Sequence, residues 1–310
     1  MTATYDEFGL FHQNAEEWGL PFDGPPTVRR DAVEFEPGRT VSSLVWGDAP
    51  PEVVALHGGG QNAHTWDTVA LALGLPLVAI DLPGHGHSDA TDTLFSPRDY
   101  AVAVEVAVRA LAPDARLVMG MSMGGLTAIA LAARAPDLVR ALVLVDVVPT
   151  IDPARVAPIG EFLNGPERFT SFDELLARTM KFNPTRTESS LRRGILHNAV
   201  EREDGTWVWR HQRQWTPRDE RPAAGGLAIP DYSSLWDDLA AVEAPTLLLY
   251  GTTEQSIITD EILAELEQRR PGTAAVGVAD AGHSIQGDQP VVLAQVVTDF
   301  LTGLGSAGLA

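Results

Sequence analysis

The residues Gly120-Met121-Ser122-Met123-Gly124 hold one serine between two glycines, directly after the apolar run Leu117-Val118-Met119. A strand that ends there, turns sharply and enters a helix at Met123 would lift the Ser122 hydroxyl clear of the sheet. It would also set that hydroxyl over the positive end of the helix. So tight a turn is strained, and a side chain in place of either glycine would strike the neighbouring strand or helix. A serine held this way is a candidate nucleophile, but at its own pKa it is a weak one and needs a base within hydrogen-bond reach. Attack on a carbonyl also builds negative charge on oxygen, which backbone N–H groups can hold. Met123, opening the helix, offers one such group. A merely structural turn is the competing reading, and the strand–turn–helix context argues against it.

Other chemistries find less support. Gly58-Gly59-Gly60 permits close backbone approach, but neither the G-x-x-x-x-G-K-[ST] nor the G-x-G-x-x-G spacing of nucleotide-phosphate loops is present. Asp81, His85 and His87 are grouped, yet they lie in a glycine-rich turn that Asp81 is expected to brace, so no metal and no cofactor is expected. The chain has no cysteine, which removes disulfides, thiolate metal sites and cysteine nucleophiles. A net charge of −20 opposes nucleic-acid phosphates. No apolar run is long enough to span a bilayer. The N-terminus lacks the basic and apolar regions of a secretory signal, which makes a cytoplasmic location the expectation. The partner expected is a small molecule, not a nucleic acid or a membrane.

The elements that must position Ser122 follow from pattern. Residues 1–29 read as an arm, broken by Pro21, Pro25 and Pro26. Alternation over 33–36 and 40–46 predicts antiparallel edge strands. Short apolar runs at 52–56, 75–80, 117–121 and 141–145 then alternate with helical patterns at 97–111 and 123–134. Ser96 is the expected N-cap of the first helix, with Pro97 at its opening position. Strands apolar on both faces, in βαβα order, predict a mostly parallel sheet covered by helices. From residue 149 to 234 the alternation stops, and aromatic residues gather, among them Phe162, Phe169, Phe172, Phe182, Trp207, Trp209 and Trp215. It resumes with a strand at 245–250, a helix at 260–269, a strand at 273–278 and a last helix from 290 to about 304. Residues 30–148 and 235–310 thus form an α/β core. Residues 149–234 read as a helical cap over the C-terminal strand ends, where open α/β sheets place their sites.

His57-Gly58-Gly59-Gly60, Asp81-Leu82-Pro83-Gly84-His85-Gly86, Gly120-Met121-Ser122-Met123-Gly124-Gly125 and Ala281-Gly282-His283 come in this order, each at the end of an expected strand. In this the chain resembles the α/β-hydrolase superfamily over roughly residues 30–310, and its finer pattern resembles the cap-bearing serine esterase and lactonase branch. The resemblance implies a cap between the sixth and seventh sheet strands and a base late in the chain, at His283. It implies a second oxyanion donor at Gly59 and an acid after either the sixth or the seventh strand. Asp146 holds the first place and Glu254 the second. Asp146 is favoured, because a carboxylate ending an apolar strand is costly without a partner. Otherwise it would brace backbone near Pro149.

Serine where related branches carry aspartate implies acyl chemistry. The expectation is a serine hydrolase that cleaves a small carboxylic ester or lactone through an acyl-enzyme. Ser122 would be the nucleophile, His283 the base and Asp146 the acid. The same residues could serve a C–C bond hydrolase of diketones, and a ligand receptor without turnover is the reading from another class. The aromatic cap suggests an apolar or aromatic substrate, although such rings more often pack with one another.

Overall fold

The computed structural model describes residues 5–90, 96–211 and 230–306. Eight strands form the main sheet: β1 (Val28–Glu36), β2 (Arg39–Trp46), β3 (Val53–Leu56), β4 (Leu77–Ile80), β5 (Leu117–Met121), β6 (Leu142–Val145) and, after an insertion, β10 (Thr246–Gly251) and β11 (Ala274–Val278). Their order across the sheet is β1-β2-β4-β3-β5-β6-β10-β11. The run from β4 to β11 is parallel, while β2 is antiparallel to both β1 and β4. The expected pair of antiparallel strands is present, but only β1 is an edge.

Period-two alternation sorts the strand side chains into two apolar layers. Val54, Leu56, Val78, Ile80, Leu142 and Leu144 face one layer, with the helices Pro97–Leu111, Met123–Arg134 and Asp260–Arg269. Val53, Ala55, Leu77, Ala79, Val143 and Val145 face the other, with the helices Asp67–Leu73 and Pro290–Ser306. Each parallel strand must therefore be apolar on both sides, as the sequence pattern is. Ser96 caps its helix in a reciprocal box with Asp99.

Two expectations change. The first 29 residues are more than an arm, since Phe11–Trp18 is a helix ending at Gly19 in the left-handed conformation, before the three prolines. It buries Phe11 against Trp46, with ring centroids 4.8 Å apart. The insertion between β6 and β10 also holds more than helices. Besides Pro153–Leu163, Phe172–Phe182 and Glu188–Asn198 it contains a small antiparallel sheet of β7 (Arg168–Phe169), β9 (Trp207–Trp209) and β8 (Ala199–Glu201). Phe169, Leu175, Leu176, Leu191 and Ile195 give it an apolar core of its own. Trp215 lies outside the described residues.

Candidate active site

Ser122 sits between β5 and the helix Met123–Arg134, at φ +53° and ψ −121°, a conformation an L-residue adopts only under strain. The two glycines around it permit this. A Cβ at Gly120 would lie 2.3 Å from the Gly124 carbonyl oxygen, and one at Gly124 would lie 2.3 Å from that of Leu56. The elbow therefore presses the new helix against β3 and β5, and Ser122 is left half-exposed at their C-terminal ends.

Asp146 follows β6 and is fully buried, also at positive φ, +52°. Four donors converge on its carboxylate. The N–H groups of Gly251 and Ile257 donate over 2.9 and 3.0 Å, the Ser256 hydroxyl over 2.6 Å, and Nδ1 of His283 over 2.9 Å. A buried carboxylate needs this saturation to offset its lost hydration. It braces the loop after β10 rather than backbone near Pro149, which corrects the alternative expectation for it. Glu254 is exposed, and among the described residues its carboxylate makes no hydrogen bond or ion pair; only its carbonyl accepts, from Arg155. With Nδ1–H of His283 committed to Asp146, Nε2 keeps the lone pair. The loop before His283 is held as well, because the Gly282 N–H donates to Asp288 over 2.9 Å. Burial raises the Asp288 carboxyl above the usual range.

Gly59 lies in the turn after β3, across from the elbow. Among the described residues, neither its N–H nor that of Met123 donates to a protein acceptor. Two neutral histidines shape this turn. His57 donates from Nδ1 to the Gly58 carbonyl at 2.7 Å and accepts at Nε2 from the Leu82 N–H at 2.9 Å. His85 donates to the Pro83 carbonyl and accepts at Nε2 from the Gly60 N–H at 3.1 Å. Burial pushes both below the ordinary histidine pKa, His85 to about 3 with His57 adding to the effect. Asp81 braces the turn as expected. Its oxygens accept from the N–H groups of Ala63 and His87 and from Arg30.

Ser122, Met123, Gly59 and His283 line one cavity of about 470 Å³. Its walls are mostly apolar, with Leu126 and Val147 from the core and Ile159, Phe162, Leu163 and Phe182 from the insertion. The expected aromatic group thus divides. Phe162 and Phe182 face the cavity, whereas Phe169 is buried in the insertion and Trp207 packs edge-on against Phe172. His211 stacks over His85 at 6.2 Å and beside Trp209 at 5.9 Å.

Residues 53–296 match the model of the alpha/beta hydrolase family. The chain belongs to that family. This α/β hydrolase is 42% identical over 305 residues to the esterase Rv0045c of Mycobacterium tuberculosis, covering 96% of each chain. A solved structure of that esterase, from work on its inhibition by transition metals, superposes with a TM-score of 0.83 at 40% identity, covering 97% of this chain and all of that one. A pimeloyl-[acyl-carrier protein] methyl ester esterase of Sodalis glossinidius is 30% identical over 269 residues, 83% of this hydrolase and 97% of the relative.

Sequence reasoning missed Ser256, whose hydroxyl makes the shortest contact to Asp146. Its only signal was its place in the loop after β10. No helix among the described residues is long and apolar enough to cross a membrane.

Proposed function

We propose that this α/β hydrolase cleaves a small carboxylic ester or lactone with an apolar acyl group, through an acyl-enzyme on Ser122. One observation carries the reading. His283 and Ser122 line the same cavity, and His283 gives its far nitrogen to a buried, saturated carboxylate. That arrangement holds the imidazole in the tautomer able to take a proton, and it stabilises the imidazolium once formed.

In the first half-reaction the Ser122 oxygen bonds to the substrate carbonyl carbon while its proton passes to Nε2 of His283. The carbonyl electrons move onto oxygen, where the N–H groups of Gly59 and Met123 receive the charge. Collapse expels the alcohol, which leaves with the proton from His283. Water then attacks the acyl-enzyme with His283 again as base, and the carboxylic acid departs. The insertion covers the site as a cap, and its Ile159, Phe162, Leu163 and Phe182 supply the wall against which an apolar acyl chain desolvates. The 42%-identical relative is an esterase, which is consistent with this chemistry.

A series of p-nitrophenyl esters of increasing acyl length tests the proposal. The expected result is a burst of p-nitrophenol of one equivalent or less, followed by turnover, both abolished in Ser122→Ala. Tight ester binding with neither burst nor turnover would favour a receptor, and a strong preference for diketones over esters would favour C–C hydrolysis.

A further inference from the structure

Outside the catalytic cavity, His64, Asp67 and His197 bring three buried donors together, each from within 4.8 Å of the others. His64 and Asp67 belong to the turn and helix that follow Gly58–Gln61, while His197 comes from the helix Glu188–Asn198 of the insertion. We propose that these three residues bind a borderline transition-metal dication, of the Zn²⁺ or Co²⁺ type. Such an ion would tie the insertion to the turn behind the oxyanion loop. The site is independent of the hydrolase chemistry proposed above.

Three observations support it. The donor set, two imidazoles and one carboxylate, is one these dications take readily. Each imidazole also has its outer nitrogen held already, as metal-binding histidines do. Nε2 of His64 is 3.0 Å from a Glu7 carboxylate oxygen, and Nδ1 of His197 is 2.6 Å from the Tyr5 hydroxyl. That leaves Nδ1 of His64 and Nε2 of His197 facing Asp67, at 2.9 and 3.8 Å from the same carboxylate oxygen. Finally, one of the inward atoms is unsatisfied. Nε2 of His197 is buried and has no hydrogen-bond partner among the described residues, and its side chain is more than nine-tenths buried. The other oxygen of the same carboxylate, Oδ1 of Asp67, is buried without a partner too. Native proteins seldom leave such atoms orphaned, and a bound ion would satisfy Nε2 of His197.

The three residues line a second cavity of about 150 Å³, which adjoins the catalytic one at Gly60, Gln61, Phe162 and Asn183 and has room for water at a remaining coordination position. The two imidazoles lie stacked at 3.8 Å, 12° from parallel, so coordination opens that stack until both lone pairs meet one ion. The proton His64 now shares with Asp67 leaves to solvent when the metal binds. Asn62 already bridges the same two elements, capping the turn at the His64 N–H and donating to the His197 carbonyl over 2.9 Å.

The test uses the full chain, stripped with a chelator and titrated separately with Zn²⁺ by calorimetry and Co²⁺ by visible absorption. The expected result is one equivalent bound, with Co²⁺ bands of low coordination number and a raised melting temperature. His197→Gln and Asp67→Asn should each weaken binding at least tenfold, while His283→Ala leaves it unchanged. Asp67→Asn keeps the side-chain shape and carries the test if His197→Gln fails to fold. No uptake by the folded wild-type chain would overturn the proposal. So would binding that survives both substitutions but is lost in His283→Ala, which would place the ion at the catalytic histidine instead.

Discussion

A single imidazole contact favours Asp146 over Glu254 as the acid of the proposed triad. Nδ1 of His283 meets Asp146 at 2.9 Å, and Glu254 stands exposed at the cavity rim. Asp146→Asn keeps the shape but turns an acceptor of the imidazole proton into a donor, favouring the wrong tautomer. Steady-state ester hydrolysis should fall by about three to four orders of magnitude, as for the equivalent change in serine proteases. Glu254→Gln should stay near wild type. If the second variant collapses and the first survives, the acid has been misassigned. Ser256 was invisible beforehand because its role depends on which carboxylate its hydroxyl meets, and that contact spans 110 positions of chain.

Elements hold these residues through backbone contacts that tolerate little change. Gly124 is the sharpest case, since a methyl there meets the Leu56 carbonyl oxygen at 2.3 Å, and rigid backbone cannot yield as a side-chain tip can. Gly124→Ala should cost about 1–3 kcal/mol, towards the upper end, read as a lowered urea midpoint at unchanged slope. The turn carrying Gly59 has a different vulnerability. His57 and His85 each accept a backbone N–H at Nε2, so both must remain neutral in the folded state. With folded pKa values depressed by burial, the unfolded chain binds more protons below pH 6.5. Their contribution to stability is then complete above about pH 6.5 and declines as pH falls; for His85 it is lost from there toward 3, at up to about 1.4 kcal/mol per pH unit, and His57 acts in the same direction. Denaturation midpoints across that window should show the decline. His85→Gln, which still offers an acceptor to the Gly60 N–H, should make it shallower.

At the scale of the whole molecule, the N-terminal segment joins parts that the sheet alone leaves separate. Phe11 packs on Trp46 of β2, Glu7 pairs with Arg30 of β1 and with His64, and Glu17 pairs with Arg193 of the insertion. Phe11→Ala should therefore cost about 3–5 kcal/mol in chemical denaturation, as for other fully buried phenylalanines. Ester turnover per folded molecule should change little, because the helix Phe11–Trp18 contributes nothing to the lining of the catalytic cavity.

What the amino-acid order settled by itself was local. The ends of β5, of the elbow helix Met123–Arg134 and of the helices at 97 and 260 coincide with the expected ones, since apolar runs, caps and glycines act within a few residues of chain. The two-sided apolar strands likewise made a parallel α/β sheet legible, and Ser122 stood out because its strained elbow needs glycines at fixed spacing. Tertiary structure decided whatever joins distant segments. The N-terminal helix was hidden because its stability comes from burying Phe11 rather than from a side-chain N-cap or a long repeat. The insertion's small sheet has strands of only two or three residues, too short to show a period. The contact of Asp146 with His283, that of Ser256 with Asp146 and the meeting of His64 and Asp67 with His197 all join residues far apart in the chain. Those contacts exist only once the sheet order and the packed insertion bring their backbones within hydrogen-bond reach.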